Sequence, residues 1–240
     1  MTDVVPDLHL HDVGQAFPLY VYEEAKDLGL FADQENQGGY ARRDSITDST
    51  LTDYQQRYGS DVSKEDIFYY VYGVLHSPKY RERYASDLKK LIPRLPMVPD
   101  FWAFCGAGRE LARWHLSYES VEPWPLEGLP STSAAPEELR VEKMRFAGSG
   151  RNEDRSTLVF NRHVVLRGIP EEAYDYHVNG RSAIEWLMDR YEIKVDKDSG
   201  IRNDPNLWSD DPRYVVDLVA RIVRVSIETT RIVASLPPIE

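Results

Sequence analysis

A stretch dense in proline, serine and glycine, from Pro123-Trp124-Pro125 to Pro136, separates two parts of this 240-residue chain that are written in different periods. Proline removes a backbone donor and fixes φ, so neither a helix nor a strand ladder continues through such a run. The stretch reads as a surface connector and as the best place for a subdomain boundary. Before it, apolar residues recur at helical spacing; after it, short alternating runs come first and helices close the chain.

In the first part, Phe17-Pro18-Leu19-Tyr20-Val21-Tyr22 alternates large side chains and reads as a strand, followed by a polar loop from Gly29 to Gly39. Acidic and aromatic residues fall at helical spacing from Ser45 to Tyr58. Ser63-Lys64-Glu65-Asp66 is a capping-box start, with Ser63 as N-cap and Asp66 in place of the usual Glu. The helix it opens runs to about His76 and buries Ile67, Tyr70, Val71, Val74 and Leu75. Pro78 begins a second helix to about Leu91, with Lys79, Arg81, Arg83, Lys89 and Lys90 on its exposed side. Pro93, Pro96 and Pro99 end it. A third helix from Asp100 to about Leu116 sets Phe101, Phe104, Cys105, Gly108, Leu111, Ala112 and His115 on one side, and Gly106 and Gly108 permit close helix packing.

Beyond the connector, Leu139 to Phe146, Thr157 to Phe160 and His163 to Leu166 read as short antiparallel strands. Gly148 to Glu153 is the expected hairpin tip and Asn161-Arg162 a tight turn. Pro170 opens a short helical turn, Arg181 to Tyr191 is a helix, and 196 to 208 is a polar loop. Pro212 starts a last long helix to about Ser235, with Val216, Val219, Ile222, Val223, Ser226, Thr230 and Val233 at core spacing. The expected fold is α+β: a mainly helical part over 1–122, a connector over 123–138, and a small antiparallel sheet closed by C-terminal helices over 139–240.

Few chemistries fit these residues. One cysteine, Cys105, leaves neither an internal disulfide nor a cysteine-based metal site, and a reducing cytoplasm is the natural setting. No apolar run is long enough for a membrane span, and the start has no signal-peptide pattern. His9 and His11 form an isolated pair while His76, His115, His163 and His177 stand apart, so each reads as a packed or surface imidazole. Gly106-Ala107-Gly108 lies inside an amphipathic pattern and lacks the third glycine of a dinucleotide loop; phosphate-loop and nucleophile-elbow motifs are missing. The acidic pairs Glu171-Glu172 and Asp210-Asp211 sit beside prolines at helix starts, where the helix dipole favours them. The expectation is a domain without a catalytic centre, metal or cofactor.

Charge supplies the one remaining lead. The net charge is -11, which opposes general DNA affinity. Residues 140 to 167, however, hold seven cations against three carboxylates, leaving -15 for the rest of the chain. Arginine and asparagine on such hairpins can reach base edges while neighbouring cations fix phosphates. The DNA-contact candidates are Arg140, Lys143, Arg145, Arg151, Asn152, Arg155, Asn161 and Arg162, with Lys79, Arg81 and Arg83 for phosphates. An ordinary solvated sheet face, with Glu153 and Asp154 pairing some of the arginines, is the competing reading.

The run Asp66-Ile67-Phe68-Tyr69-Tyr70-Val71-Tyr72-Gly73-Val74-Leu75-His76-Ser77-Pro78-Lys79-Tyr80-Arg81-Glu82-Arg83-Tyr84, followed by Asp100-Phe101-Trp102-Ala103-Phe104, resembles the C-terminal specificity domain of type ISP restriction-modification enzymes. His115-Leu116-Ser117-Tyr118-Glu119, the segment from Gly180 to Tyr191, Asp211 to Leu218, and Phe17-Pro18-Leu19-Tyr20 are similar to the same family in the same order. The resemblance implies a parent polypeptide with a nuclease, an ATP-driven translocase, a coupler and an adenine-N6 methyltransferase. S-adenosylmethionine, ATP and Mg would belong to those other domains. Here it implies recognition of a short asymmetric site in double-stranded DNA, with the methyltransferase and coupler domains as partners. A docking module that touches no bases is the alternative, and an independent nuclease a distant third. The matched motifs are mainly apolar and aromatic, so they carry the fold and assign no DNA contact.

Overall fold

The computed structural model describes residues 1–2, 16–24, 40–90, 93–178 and 180–239, and the fold is α+β. It forms two compact units, Met1–Arg113 with Ser235–Glu240, and Trp114–Ala234. The division falls within a helix. Residues 123–138 belong to the second unit, whose core holds Leu126, with Trp124, Leu129 and Ala134 packed against it.

In the first unit β1 (Tyr20–Glu24) pairs antiparallel with β2 (Tyr40–Asp44), Tyr22 facing Arg42. The first of these was legible; Tyr-Ala-Arg-Arg-Asp has no alternation to announce the second. The expected loop from Gly29 to Gly39 and the His9/His11 pair lie outside the described residues. Helix α1 (Asp48–Tyr58) is capped by Thr47, whose hydroxyl accepts from the Thr50 N–H, and stops at Gly59, whose φ of 109° favours glycine. Helix α2 (Lys64–His76) opens with the expected capping box: Ser63 Oγ accepts from the Asp66 N–H at 3.1 Å, and the Asp66 carboxylate accepts from the Ser63 N–H at 2.9 Å.

The helix expected from Pro78 is broken. Tyr84 leaves helical geometry at ψ 21°, giving α3 (Pro78–Arg83) and α4 (Ala85–Leu88). Across the bend Tyr84 and Leu88 stay packed on the core that holds Tyr80, with the Tyr80 and Tyr84 rings 5.0 Å apart. Helix α5 (Phe101–Leu116) buries Phe101, Phe104, Cys105, Gly108, Leu111 and Ala112, as its spacing predicts. It crosses α2 backbone against backbone. A Cβ on Gly108 would stand 1.8 Å from the Tyr69 carbonyl oxygen, and one on Gly73 2.2 Å from that of Phe104. Gly106 faces open space, so only one of the two glycines named from sequence serves the crossing, and its partner is Gly73.

The proline segment between α4 and α5 cannot pair its carbonyls in a helix or ladder, and tyrosines supply the missing donors. Tyr80 donates to Arg94 O at 2.8 Å, Tyr58 to Val98 O at 2.7 Å, and Tyr70 to Pro96 O while accepting from the Val98 N–H. Burial pushes the Tyr54 phenol among them up to about 12.

The second unit is built on a three-stranded antiparallel sheet in the order β3 (Arg145–Ala147), β4 (Asp154–Val159), β5 (Val165–Arg167). Two two-residue ribbons follow, β6 (His177–Val178) with β7 (Arg181–Ser182), and β8 (Lys194–Val195) with β9 (Arg202–Asn203). Helix α6 (Ala183–Arg190) carries a capping box of Ser182 and Glu185, and α7 (Tyr214–Ala234) buries Val216, Val219, Val223 and Ser226 as expected.

The strand expected over Leu139 to Phe146 is reduced to three residues. Leu139 ends a 3-10 turn, Pro136–Leu139. Val141 spends its backbone on one side chain: Asn206 accepts from its N–H and donates to its carbonyl, both at 2.9 Å. Glu142 O accepts from the Ile193 N–H. A carboxamide and a loop thus take the place of a neighbouring strand.

Candidate nucleic-acid interface

Strand alternation decides which side of the sheet faces the core. Phe146, Leu158 and Leu166 form one rung, with Leu158 and Leu166 buried. The rungs on either side point the other way: Arg145, Val159 and Val165 in one, Thr157 and Arg167 in the next. The outward face therefore carries an arginine on β3 and another on β5. Beyond β5, Glu127 bridges Arg167, with hydrogen bonds of 2.8 and 3.1 Å in both directions between their backbones. Between Phe146 and Ala147 the register shifts, and the β3–β4 loop holds the short 3-10 turn Gly150–Asn152 at its tip. Gly148, at φ 73°, admits no side chain there: a Cβ would meet the Asn152 carbonyl at 2.1 Å. The loop is thereby folded tightly enough to present Arg151 and Asn152 outward.

The candidates named from sequence fall into two groups. Arg145, Arg151 and Asn152 are exposed and their side chains make no hydrogen bond or ion pair among the described residues. Arg162 is exposed at the β4–β5 turn, with its Nε 2.8 Å from the His163 ring. Arg167 belongs to the basic segment and is not among the contact candidates; it is exposed, and its guanidinium makes no hydrogen bond or ion pair among the described residues. The signal that could have found it is the alternation Val165-Leu166-Arg167, which turns Arg167 out when Leu166 turns in.

The other group holds the fold. Asn161 is buried, and its carboxamide is used at both ends: it donates to the Glu138 and Arg140 carbonyls and accepts from the His163 and Val164 N–H groups, each at 2.8 Å. Asn161 thus closes the turn through its side chain, a use the sequence conceals because a base contact calls for the same carboxamide. Arg155 lies 2.8 Å from Glu185 and over the rings of Tyr174 (4.3 Å) and Phe146 (5.3 Å). Burial raises the Glu185 carboxyl, but hydrogen bonds from Ser182 and the charge of Arg155 outweigh it and hold the group below the usual carboxylate range. Arg140 and Arg202 face the buried Asp204 at 3.4 and 3.2 Å, and there too burial is outweighed, by Asn206 first and then the arginines. Lys143 pairs with Glu192 at 3.4 Å.

In the first unit Lys79 pairs with Glu82 on an exposed helix face, which contributes little. Arg81 donates from Nε to Leu75 O at 2.8 Å and so closes the end of α2, while Arg83 is exposed beside the Tyr84 ring. Another cation here is structural: Arg109 binds Glu65 at 2.7 Å and Asp66 at 2.9 Å and lies over Tyr69. Burial pushes the neighbouring Cys105 thiol up to about 11, assisted by the Asp66 charge, so it stays protonated at neutral pH. Among the described residues no group of three or more His, Cys, Asp or Glu is placed to hold a metal ion, and no helix is long and apolar enough to cross a membrane.

The chain matches the family model of the Type ISP C-terminal specificity domain over residues 1–218, and it belongs to that family. Three solved structures are similar over most of its length. One is described as the ATP-dependent Type ISP restriction-modification enzyme LlaBIII bound to DNA: 34% identity over 93% of this chain, TM-score 0.77. A nuclease-deletion mutant of the Type ISP enzyme LlaGI, in complex with a DNA substrate mimic, is 40% identical over 82% of this chain, TM-score 0.68. The third is a DrdV–DNA complex, 34% identical over 98%, TM-score 0.78. This chain spans 14% of the first two proteins and 23% of the third. No curated protein sequence matches it.

Proposed function

We propose that this chain is the part of a restriction-modification enzyme that recognises a specific sequence in double-stranded DNA. The observation that carries the reading is the set of exposed, unpaired cations on the β3–β5 hairpins, in a family whose 34–40% identical members stand in complexes with DNA. Arg151, Asn152 and Arg162 at the hairpin tips are the base-edge candidates, since arginine suits guanine and asparagine adenine in the major groove. Lys79, Arg81 and Arg83 would contact phosphates from the first unit. The site recognised would be short and asymmetric. It would be held for adenine-N6 methylation, and its engagement would license translocation and cleavage by other domains of the parent polypeptide, which would supply the S-adenosylmethionine, ATP and Mg chemistry.

Selection from a randomised duplex pool tests this, using the chain alone and joined to the methyltransferase domain, at low and moderate salt. One short asymmetric motif should be enriched, and Arg151→Ala should weaken it. No enrichment in either form would sink the recognition reading. A docking module that reads no bases is the second reading, favoured by Ile201 and Leu207, exposed at 69% and 77%. In that case charge reversal at Arg145 and Arg151 leaves DNA binding unchanged.

A further inference from the structure

The outward sheet face has a geometry of its own, distinct from the hairpin tips. Arg145 lies opposite Val159, and Arg167 opposite Thr157, on the two strands that flank β4. With strands about 4.8 Å apart and a rise of about 3.4 Å per residue, their Cα atoms stand roughly 12 Å from each other. That matches the width of the B-DNA major groove, about 12 Å. Between them the face is Thr157, Val159 and Val165, whose methyl groups suit the thymine methyl and no charged partner. Neither guanidinium has a hydrogen-bond or ion-pair partner among the described residues, unlike those of Arg140 and Arg155.

We propose that this face lies against the major groove, with Arg145 and Arg167 each holding a phosphate of opposite strands and the apolar strip between them turned to the base edges. The proposal rests on the recognition reading above and names the surface that performs it. Arg167 is its distinguishing residue. Glu127 is the group that works against it, because the backbone bridge holds it beside Arg167 on the same face, where its charge repels the incoming phosphate.

The test is DNA binding by the chain, followed across salt concentration, with Arg145→Ala, Arg167→Ala, Glu127→Gln and Arg151→Ala. Arg145→Ala and Arg167→Ala should each weaken binding about three- to tenfold on every duplex sequence and lower the slope of log K against log salt by about 0.9, the signature of one lost phosphate contact. Glu127→Gln should tighten binding by a few-fold. Both arginines are exposed, so thermal melting should be unchanged, which separates lost contact from lost fold. If both variants bind with wild-type affinity and slope while Arg151→Ala abolishes binding, the face is wrong and recognition stands. If their loss is confined to particular sequences, they read bases and the phosphate assignment falls. If the unaltered chain binds no duplex at low salt, the recognition reading fails and takes this proposal with it.

Discussion

The α2–α5 crossing of the first unit and the β3–β5 sheet of the second put the same residue types to opposite uses. At the crossing, Arg109 is clamped by two carboxylates and a tyrosine ring, and the glycines Gly73 and Gly108 bring two backbones together. On the sheet, Arg145, Arg151 and Arg167 have no partner among the described residues, and Gly148 folds a loop outward. The family resemblance lies mostly in segments of the first kind, such as 66–84 and 100–104. Packing has one solution and leaves a recognisable pattern, whereas a surface that reads different DNA sequences has no reason to keep one. A motif can therefore place a chain in its family while leaving its contacts unassigned.

The largest test of that contrast is Gly108→Ala. The added methyl has backbone on its far side and nothing flexible to displace, so the helices must separate at a cost of about 3 kcal/mol or more. Urea denaturation should show it, and a loss below about 1 kcal/mol would mean the crossing is looser than drawn. Asn161→Ala comes next. It strands four backbone groups near the buried turn and should cost roughly 2–3 kcal/mol. Loss of DNA binding without loss of stability in this variant would make Asn161 a DNA contact and not a residue of the fold.

Acid should then single out the first unit. Burial of His76 near the end of α2 lowers its imidazole from 6.5 to about 4, against the pull of its hydrogen bond to Tyr72 O. The folded state resists protonation and the unfolded state does not, so this contribution is whole above about pH 6.5 and is lost as pH falls toward 4. On the order of 3 kcal/mol is at stake. Stability measured across that range should flatten in His76→Gln; an unchanged slope would locate the acid sensitivity elsewhere. The smallest effect is on the sheet surface, where Arg151→Ala should alter stability by less than about 0.5 kcal/mol while weakening DNA binding. Arg155→Ala should do the reverse, melting earlier through loss of Glu185 and Tyr174.

Much of the fold was legible. The capping box at Ser63, the buried face of α5 and the core spacing of α7 are local patterns, and local patterns survive in the tertiary structure when nothing outbids them. The misreadings share a cause. Val141 found an asparagine side chain in place of a strand, and β2 is held as a strand by its pairing with β1. Both were decided by a partner far away in sequence.

The candidate site divides in the same way. From the sequence alone came the family resemblance, the α+β class and the concentration of positive charge between residues 140 and 167, because all three are written in residue order. Only the tertiary structure decided which of those cations are free. Asp204, Glu185 and Glu192 reach back from 30 to 64 residues away to take Arg140, Arg155 and Lys143, and the pleat of the sheet turns Arg145 and Arg167 outward together. Charge is a property of the residue, but its availability depends on what the fold places beside it.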